Sequence, residues 1–186
     1  QHRKLIKNNY LKKISDSKKP YIIYKSVKGF DLYTDFSKKI VLTNNNIKNF
    51  INKATKFKFK KKETDIFVGF FGYEILNNLI GVKVKKQKGL KFPKGIFYKP
   101  ETKIKLQNTL DYENIKSIKS KKLFKININK KPYKVIFDKF KKKIKSGETY
   151  QIKICTKYSN ISQIDALDFF CRLVKTNMAP EAFMIK

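Results

Sequence analysis

Tyr133 to Tyr158 reads YKVIFDKFKKKIKSGETYQIKICTKY, and two different periodicities meet inside it. Pro132 suits the first turn of a helix, where a missing N–H costs nothing. Tyr133, Ile136, Phe137, Phe140 and Ile144 then fall on one stripe with lysines opposite, the pattern of an amphipathic helix. Ser146-Gly147 ends that helix, because glycine takes the left-handed backbone a helix end requires. Thr149 to Tyr158 alternates instead, with Ile152 and Ile154 on one face and Gln151, Lys153 and Cys155 on the other. That spacing predicts a half-buried strand.

Downstream, Ser162 with Asp165 three residues on has the spacing of a capping box, and Leu167, Phe170 and Val174 stripe the helix that follows. Phe169 and Phe170 read as core. Asp165 and Asp168 fit the first-turn position that favours acids better than a catalytic pair. Upstream, Tyr21 to Tyr24 and Lys39 to Thr43 read as strands, and Asn44-Asn45-Asn46 caps a helix that buries Ile47, Phe50, Ile51 and Ala54. Lys56 to Lys60 alternates lysine with Phe57 and Phe59, which suits an exposed strand edge at least as well as a polyanion site. Ile66 to Tyr73 is a continuous apolar run, which predicts a strand buried on both faces. Gly69 and Gly72 within it mark a close backbone approach or a bulge rather than a phosphate cradle. Ile96 to Tyr98 and Lys103 to Leu106 flank Lys99-Pro100-Glu101-Thr102, which predicts a hairpin. Ser117 to Lys122 reads as a linker or an exposed helix. Strands and helices interspersed in this way give an α+β class.

The chain has 186 residues, 41% of them hydrophobic, enough for a packed core. No apolar run reaches the roughly 18 residues of a membrane span, and Gln1-His2-Arg3-Lys4 opens no signal peptide. The sequence begins without Met and stops at Ile185-Lys186 inside an apparent strand, so a longer protein is expected. Cys155 and Cys171 have no second pair, and His2 is the sole histidine, which argues against zinc, a disulfide scaffold or a Ser-His or Cys-His catalytic pair. Free thiols in a reducing cytoplasm are the expectation. The net charge of +31 raises nucleic-acid binding. Only Arg3 and Arg172 supply the bidentate fork that phosphate and base recognition favours, while the lysines spread along the whole chain beside Asn, Ile and Phe. Drift of an AT-rich genome accounts for them better, and most are expected on solvated faces. A basic module for RNA or another polyanion stays as an alternative.

The helix–Gly–strand unit resembles a segment of the chorismate-utilising synthases, the component I subunits of aminodeoxychorismate and anthranilate synthase. The matching motif is Gly147-Glu148-Thr149-Tyr150-Gln151. Three further landmarks stand in the family's order: Gly69-Phe70-Phe71-Gly72-Tyr73-Glu74, Phe92-Pro93-Lys94-Gly95-Ile96-Phe97 and Asn177-Met178-Ala179-Pro180. The family-motif positions are therefore Gly72, Tyr73, Gly147, Glu148, Tyr150 and Gln151.

The resemblance implies a two-sheet α+β fold with a chorismate pocket between the sheets, incomplete at its C-terminal end. It implies residues 1–122 as the N-terminal region of component I and 123–186 as the start of the chorismate-binding domain. It also implies Mg²⁺, a glutamine amidotransferase partner that delivers ammonia, chorismate as substrate, and a cytoplasmic protein with no membrane contact. The catalytic and metal-binding residues of the family fall beyond residue 186, so neither kind is expected here, and this piece alone is expected to be inactive. Ser26, Asn177 and Pro180 match effector-pocket positions of the tryptophan-regulated members. Lys25 stands where those members have Glu, reversing the charge that would face an amino acid's ammonium. Glu181 and Ala182 replace Tyr and Met. Tryptophan regulation is therefore not expected. The Asn-x-Ala-Pro form and Tyr150-Gln151 favour the aminodeoxychorismate enzymes over the anthranilate enzymes as the alternative, and Lys153 fits neither.

Overall fold

The computed structural model describes residues 10–55, 62–73, 75, 79–81, 92–106, 110, 112, 124–160 and 164–186. In chain order these form α1 (residues 10–16), β1 (Ile22–Ser26), β2 (Gly29–Val41), α2 (Ile47–Thr55), β3 (Val68–Phe71), β4 (Gly95–Lys105), β5 (Lys125–Ile126), α3 (Lys130–Lys145), β6 (Tyr158–Ser159), α4 (Ala166–Thr176) and β7 (Ala182–Ile185). Tyr73, Ile75 and Leu79 are also helical. The chain falls into two compact units: Gln1–Glu113 with Leu167–Lys186, and Asn114–Ala166.

The first unit is built on a five-stranded sheet of order β3-β4-β2-β1-β7, antiparallel at every junction. β1 and β2 form a hairpin whose turn, Val27-Lys28, returns at Gly29 with φ 110°, a backbone open to glycine. Alternation then sorts the side chains. On one face Ile23 and Leu32 pack with Phe30 and Leu106 against Leu11 and Ile14 of α1 and Leu167, Phe170 and Cys171 of α4. Each fully buried Ile or Leu there contributes roughly 2 kcal/mol of transfer free energy. On the other face Ile22, Tyr33 and Tyr98 gather Tyr24, Val68 and Ile185. A third cluster joins Leu42, Ile47, Phe50, Ile75 and Phe97. Among the described residues the mixed helix and sheet agree with the α+β expectation.

Several expectations are corrected. β4 is one strand of 11 residues that runs straight through Pro100, with no hairpin at residues 99–102. Two features accommodate the proline. β3 pairs with β4 only from Gly95 to Tyr98, and β2 carries a register shift opposite, between Phe36 and Lys38. Proline in a sheet is found at such edges and irregularities. At that irregularity Asp35 adopts φ 52°, which the sequence did not announce. β3 is not buried on both faces: Val68 to Phe70 are only partly covered and Phe71 is exposed, and among the described strands β3 stands at the end of the order. A run of apolar residues reports hydrophobicity and cannot count neighbouring strands. The side chain of Asn46 turns back to accept from the Thr43 N–H at 2.8 Å and to donate to Val41 O at 2.9 Å, tying the start of α2 to the end of β2. Ala54 is exposed, so α2 buries a narrower face than its spacing suggested. Phe169 is also exposed, whereas Phe170 is core.

In the second unit, α3 begins after Asn129 and places Pro132 in its first turn, as expected. It ends at Ser146, with Gly147 at φ 75° and its N–H on Ile144 O. The apolar stripe is present but unburied: Tyr133, Phe137 and Ile144 are exposed and no residue of the helix is buried. Residues 149–157 form no strand. Ile152 and Ile154 are more covered than Gln151, Lys153 and Cys155, so the alternation survives without a ladder. Only Tyr158–Ser159 pairs, with Lys125–Ile126. The readings of Lys56 to Lys60, Ser117 to Lys122, Glu74, Ser162 and the boundary at residues 122 and 123 lie outside the described residues.

Candidate functional site

The face of the sheet that carries Ile22 and Tyr33 holds a cleft of about 260 Å³, lined by Ile22, Tyr24, Tyr33, Val68, Phe183 and Ile185 among others. Register explains the lining. Ile22 lies opposite both Tyr33 and Ile185, and Tyr24 lies opposite Phe183, so three neighbouring strands present these side chains as one surface. Tyr33 and Ile22 are nearly inaccessible, while Phe183 remains exposed at the mouth.

Two phenols give the cleft its polarity. Burial, then the neighbouring Glu181 carboxylate, which accepts the hydrogen bond of the Tyr24 hydroxyl, push Tyr24 above its ordinary value. Tyr33 is raised as well, by burial and then by the charge of Asp31, against the opposing pull of Lys103. Lys103 sits 3.4 Å from Asp31 and 3.1 Å from Glu63. Its desolvation lowers the ammonium's pKa, yet the hydrogen bond to Glu63 and the charges of Tyr33, Asp31 and Glu63 outweigh that and raise it. In a chain of net charge +31 this face thus collects carboxylates.

The end of β1 meets the segment that precedes β7. The Lys25 ammonium donates to the carbonyl of Ala179, and Tyr24 reaches Glu181 from the opposite face of the same strand. The two segments that contain Ser26 and Asn177 to Pro180 are therefore adjacent, joined by residues not counted among the sequence candidates. Ser26 itself serves the hairpin: its Oγ accepts from the Lys28 N–H at 3.2 Å and lies 3.5 Å from Gly29 O. Asn177 closes α4 through its N–H on Leu173 O at 2.8 Å, and Pro180 is exposed. Neither Ser26, Asn177 nor Pro180 lines the cleft. The pairing of Lys25 with Ala179 O spans 154 positions and has no local signature, although the alternation of β1 does mark Tyr24 as facing Phe183.

The remaining motif positions divide between the units. Gly72 is buried and donates its N–H to Lys94 O at 2.8 Å, and Tyr73 is exposed. In the second unit Gly147 and Glu148 finish α3. Glu148 pairs with Lys143 and accepts from Ser146 Oγ at 3.3 Å, and the Lys143 hydrogen bond, followed by its charge, holds the carboxyl below its usual value. Tyr150 and Gln151 are exposed, and Gln151 O accepts from Thr149 Oγ1 at 3.1 Å. Cys155 is exposed and Cys171 buried.

Among the described residues no group of three or more His, Cys, Asp or Glu could hold a metal ion. No described helix is long and apolar enough to cross a membrane. Residues 8–186 match the family described as chorismate binding enzyme. No curated protein and no solved structure matches the chain.

Proposed function

The chain belongs to the chorismate-binding enzyme family, and from that premise we propose that it is the amino-terminal part of a chorismate-aminating synthase component I that makes aminodeoxychorismate. The family match over nearly the whole chain carries the reading, and the landmarks Gly69 to Tyr73, Gly147 to Gln151 and Asn177 to Pro180 support it. The finer choice rests on the Asn-x-Ala-Pro form and on the junction of β1 with residues 177–181. There Lys25 and Glu181 are engaged with Ala179 O and Tyr24, an arrangement that suits a member without amino-acid feedback.

In this reading a glutamine amidotransferase subunit supplies ammonia in the cytoplasm, with residues 1–122 as the N-terminal region of component I and 123–186 as the start of its chorismate-binding domain. Among the described residues no cluster of His, Cys, Asp or Glu fits Mg²⁺. The cleft is an unsuitable seat for chorismate. Glu181 beside Tyr24 and Asp31 beside Tyr33 oppose a dicarboxylate at short range. What these 186 residues contribute is a sheet scaffold, and alone they are expected to turn over no chorismate.

Genetic complementation tests this. The gene, expressed with its natural flanking coding sequence and an amidotransferase subunit, should restore growth of a p-aminobenzoate auxotroph and leave a tryptophan auxotroph unrescued. Rescue of the tryptophan auxotroph alone would move the assignment to anthranilate synthase. Growth of neither, with the protein accumulating in soluble form, would remove both assignments.

A further inference from the structure

We propose that residues 63–67 form a strap along the cleft, fastened to β4 by lysine–carboxylate pairs, and that salt sets how often it opens. This goes beyond the enzymatic assignment and does not depend on it. The segment leads into β3 but belongs to no helix or strand; it is a turn, with the Asp65 N–H on Lys62 O at 3.0 Å. Ile66 packs on the cluster of Ile22, Tyr33 and Tyr98, and both Ile66 and Phe67 line the cleft. Phe67 also meets Phe50 edge-on, with ring centroids 5.8 Å apart. The position of the segment therefore decides how much of the Ile22 and Tyr33 surface is covered. A stretch without a ladder of backbone bonds opens at lower free energy than the strands beside it.

Charge fastens it. The Lys103 ammonium stands 3.1 Å from the Glu63 carboxylate and 3.4 Å from that of Asp31 on β2. Lys99 stands 3.9 Å from Asp65. The two carboxylates that share Lys103 differ in their setting. Asp31 and Lys103 are both partly buried, and a pair so covered is screened little by dissolved ions. The Glu63 side chain is 78% exposed, so that contact is the one salt reaches. Asp31 keeps the ammonium on the sheet, and Glu63 is the partner that can be detached. Between about 0.01 M and about 1 M salt the screening length falls from about 30 Å to about 3 Å, the length of the pair itself. For the rest of a chain of net charge +31 the same salt relieves self-repulsion. Strap and sheet should therefore respond to salt with opposite signs.

Hydrogen–deuterium exchange of the whole chain tests the strap. From about 0.01 M to about 1 M salt the amides of residues 63–67 should exchange about threefold faster, while those of β2 and β4 hold or slow. Lys103→Met keeps the length of the side chain and removes its charge. It should speed strap exchange about fivefold at low salt and flatten the salt response. Hydroxyl-radical footprinting at Tyr33 should rise with it. Asp65→Lys should loosen the strap in the same direction. Combined with Lys99→Asp, which restores an ion pair of reversed polarity, it should return exchange towards the parent rate. Strap amides that slow in salt along with the sheet would overturn the proposal, and so would unchanged exchange in Lys103→Met. Loss of protection across β2 and β4 together with the strap would overturn it too, because the segment would then have no motion of its own.

Discussion

A Cβ added at Gly69 would lie 1.9 Å from the carbonyl oxygen of Ile96 and 2.7 Å from the Cα of Phe97. Both obstacles are backbone, so no rotamer change relieves them, and β3 would have to leave β4. Gly69→Ala should therefore cost about 3 kcal/mol or more. Urea denaturation should show the loss, and a variant within about 0.5 kcal/mol of the parent would refute the close approach.

Gly147 makes the opposite case. Its φ of 75° is strained for other residues, but nothing lies within 4 Å of an added Cβ. Gly147→Ala should cost only the backbone penalty, about 1 kcal/mol. Gly147→Asn should recover part of it, since asparagine tolerates this conformation. Circular dichroism of the thermal transition should rank them Gly, Asn, Ala.

Alkaline stability should follow the cleft. Tyr24 and Tyr33 titrate above the ordinary 10.0 when folded, and Lys103 above 10.5. The folded state then holds these protons more tightly than the unfolded state, so their contribution is whole below the unfolded values and is lost as pH rises through the folded ones. Stability should be insensitive to these groups at neutral pH and decline above about pH 10. In Tyr33→Phe that decline should be shallower. Spectrophotometric titration should find Tyr24 and Tyr33 ionising late, with the late fraction reduced in Tyr33→Phe. A single transition at the ordinary value would contradict the assignment.

Tryptophan should not bind at the junction of β1 with residues 177–181. Lys25 presents an ammonium to the Ala179 carbonyl, where a ligand's own ammonium would compete, and Ser26 is engaged in the hairpin turn. Calorimetric titration with tryptophan should give no heat of binding. Saturable binding, abolished by Asn177→Ala, would restore the regulated reading.

The parts of the fold written in local periodicity were legible. The stripe of Leu167, Phe170 and Val174 gave α4, Ser146-Gly147 gave the end of α3, and Tyr21 to Tyr24 gave β1. Of the two readings of Gly69, close approach or bulge, the structure bears out the close approach. Lys99-Pro100-Glu101-Thr102 misled because polarity and a proline look alike in a turn and in a strand beside a register shift, and the shift lies in β2, more than 60 residues away. Alternation at residues 149–157 promised a strand, but a strand also needs a partner. The site was legible in its segments and not in its contacts. Ser26 and Asn177 drew attention to the two stretches that meet, whereas Lys25, Tyr24 and Glu181 make the meeting.

The uncovered stripe of α3 has a colloidal consequence. Tyr133, Phe137 and Ile144 give each molecule an adhesive line, and the lysines across the same helix give it a repulsive coat. At low ionic strength that repulsion keeps copies apart. At about 0.15 M salt the screening length falls to about 8 Å, roughly the width of the helix itself, and the coat ceases to act at a distance. Light scattering should therefore grow as salt is added, the reverse of a complex held by opposite charges, and the lysines would serve less as a grip on a partner than as a dispersant.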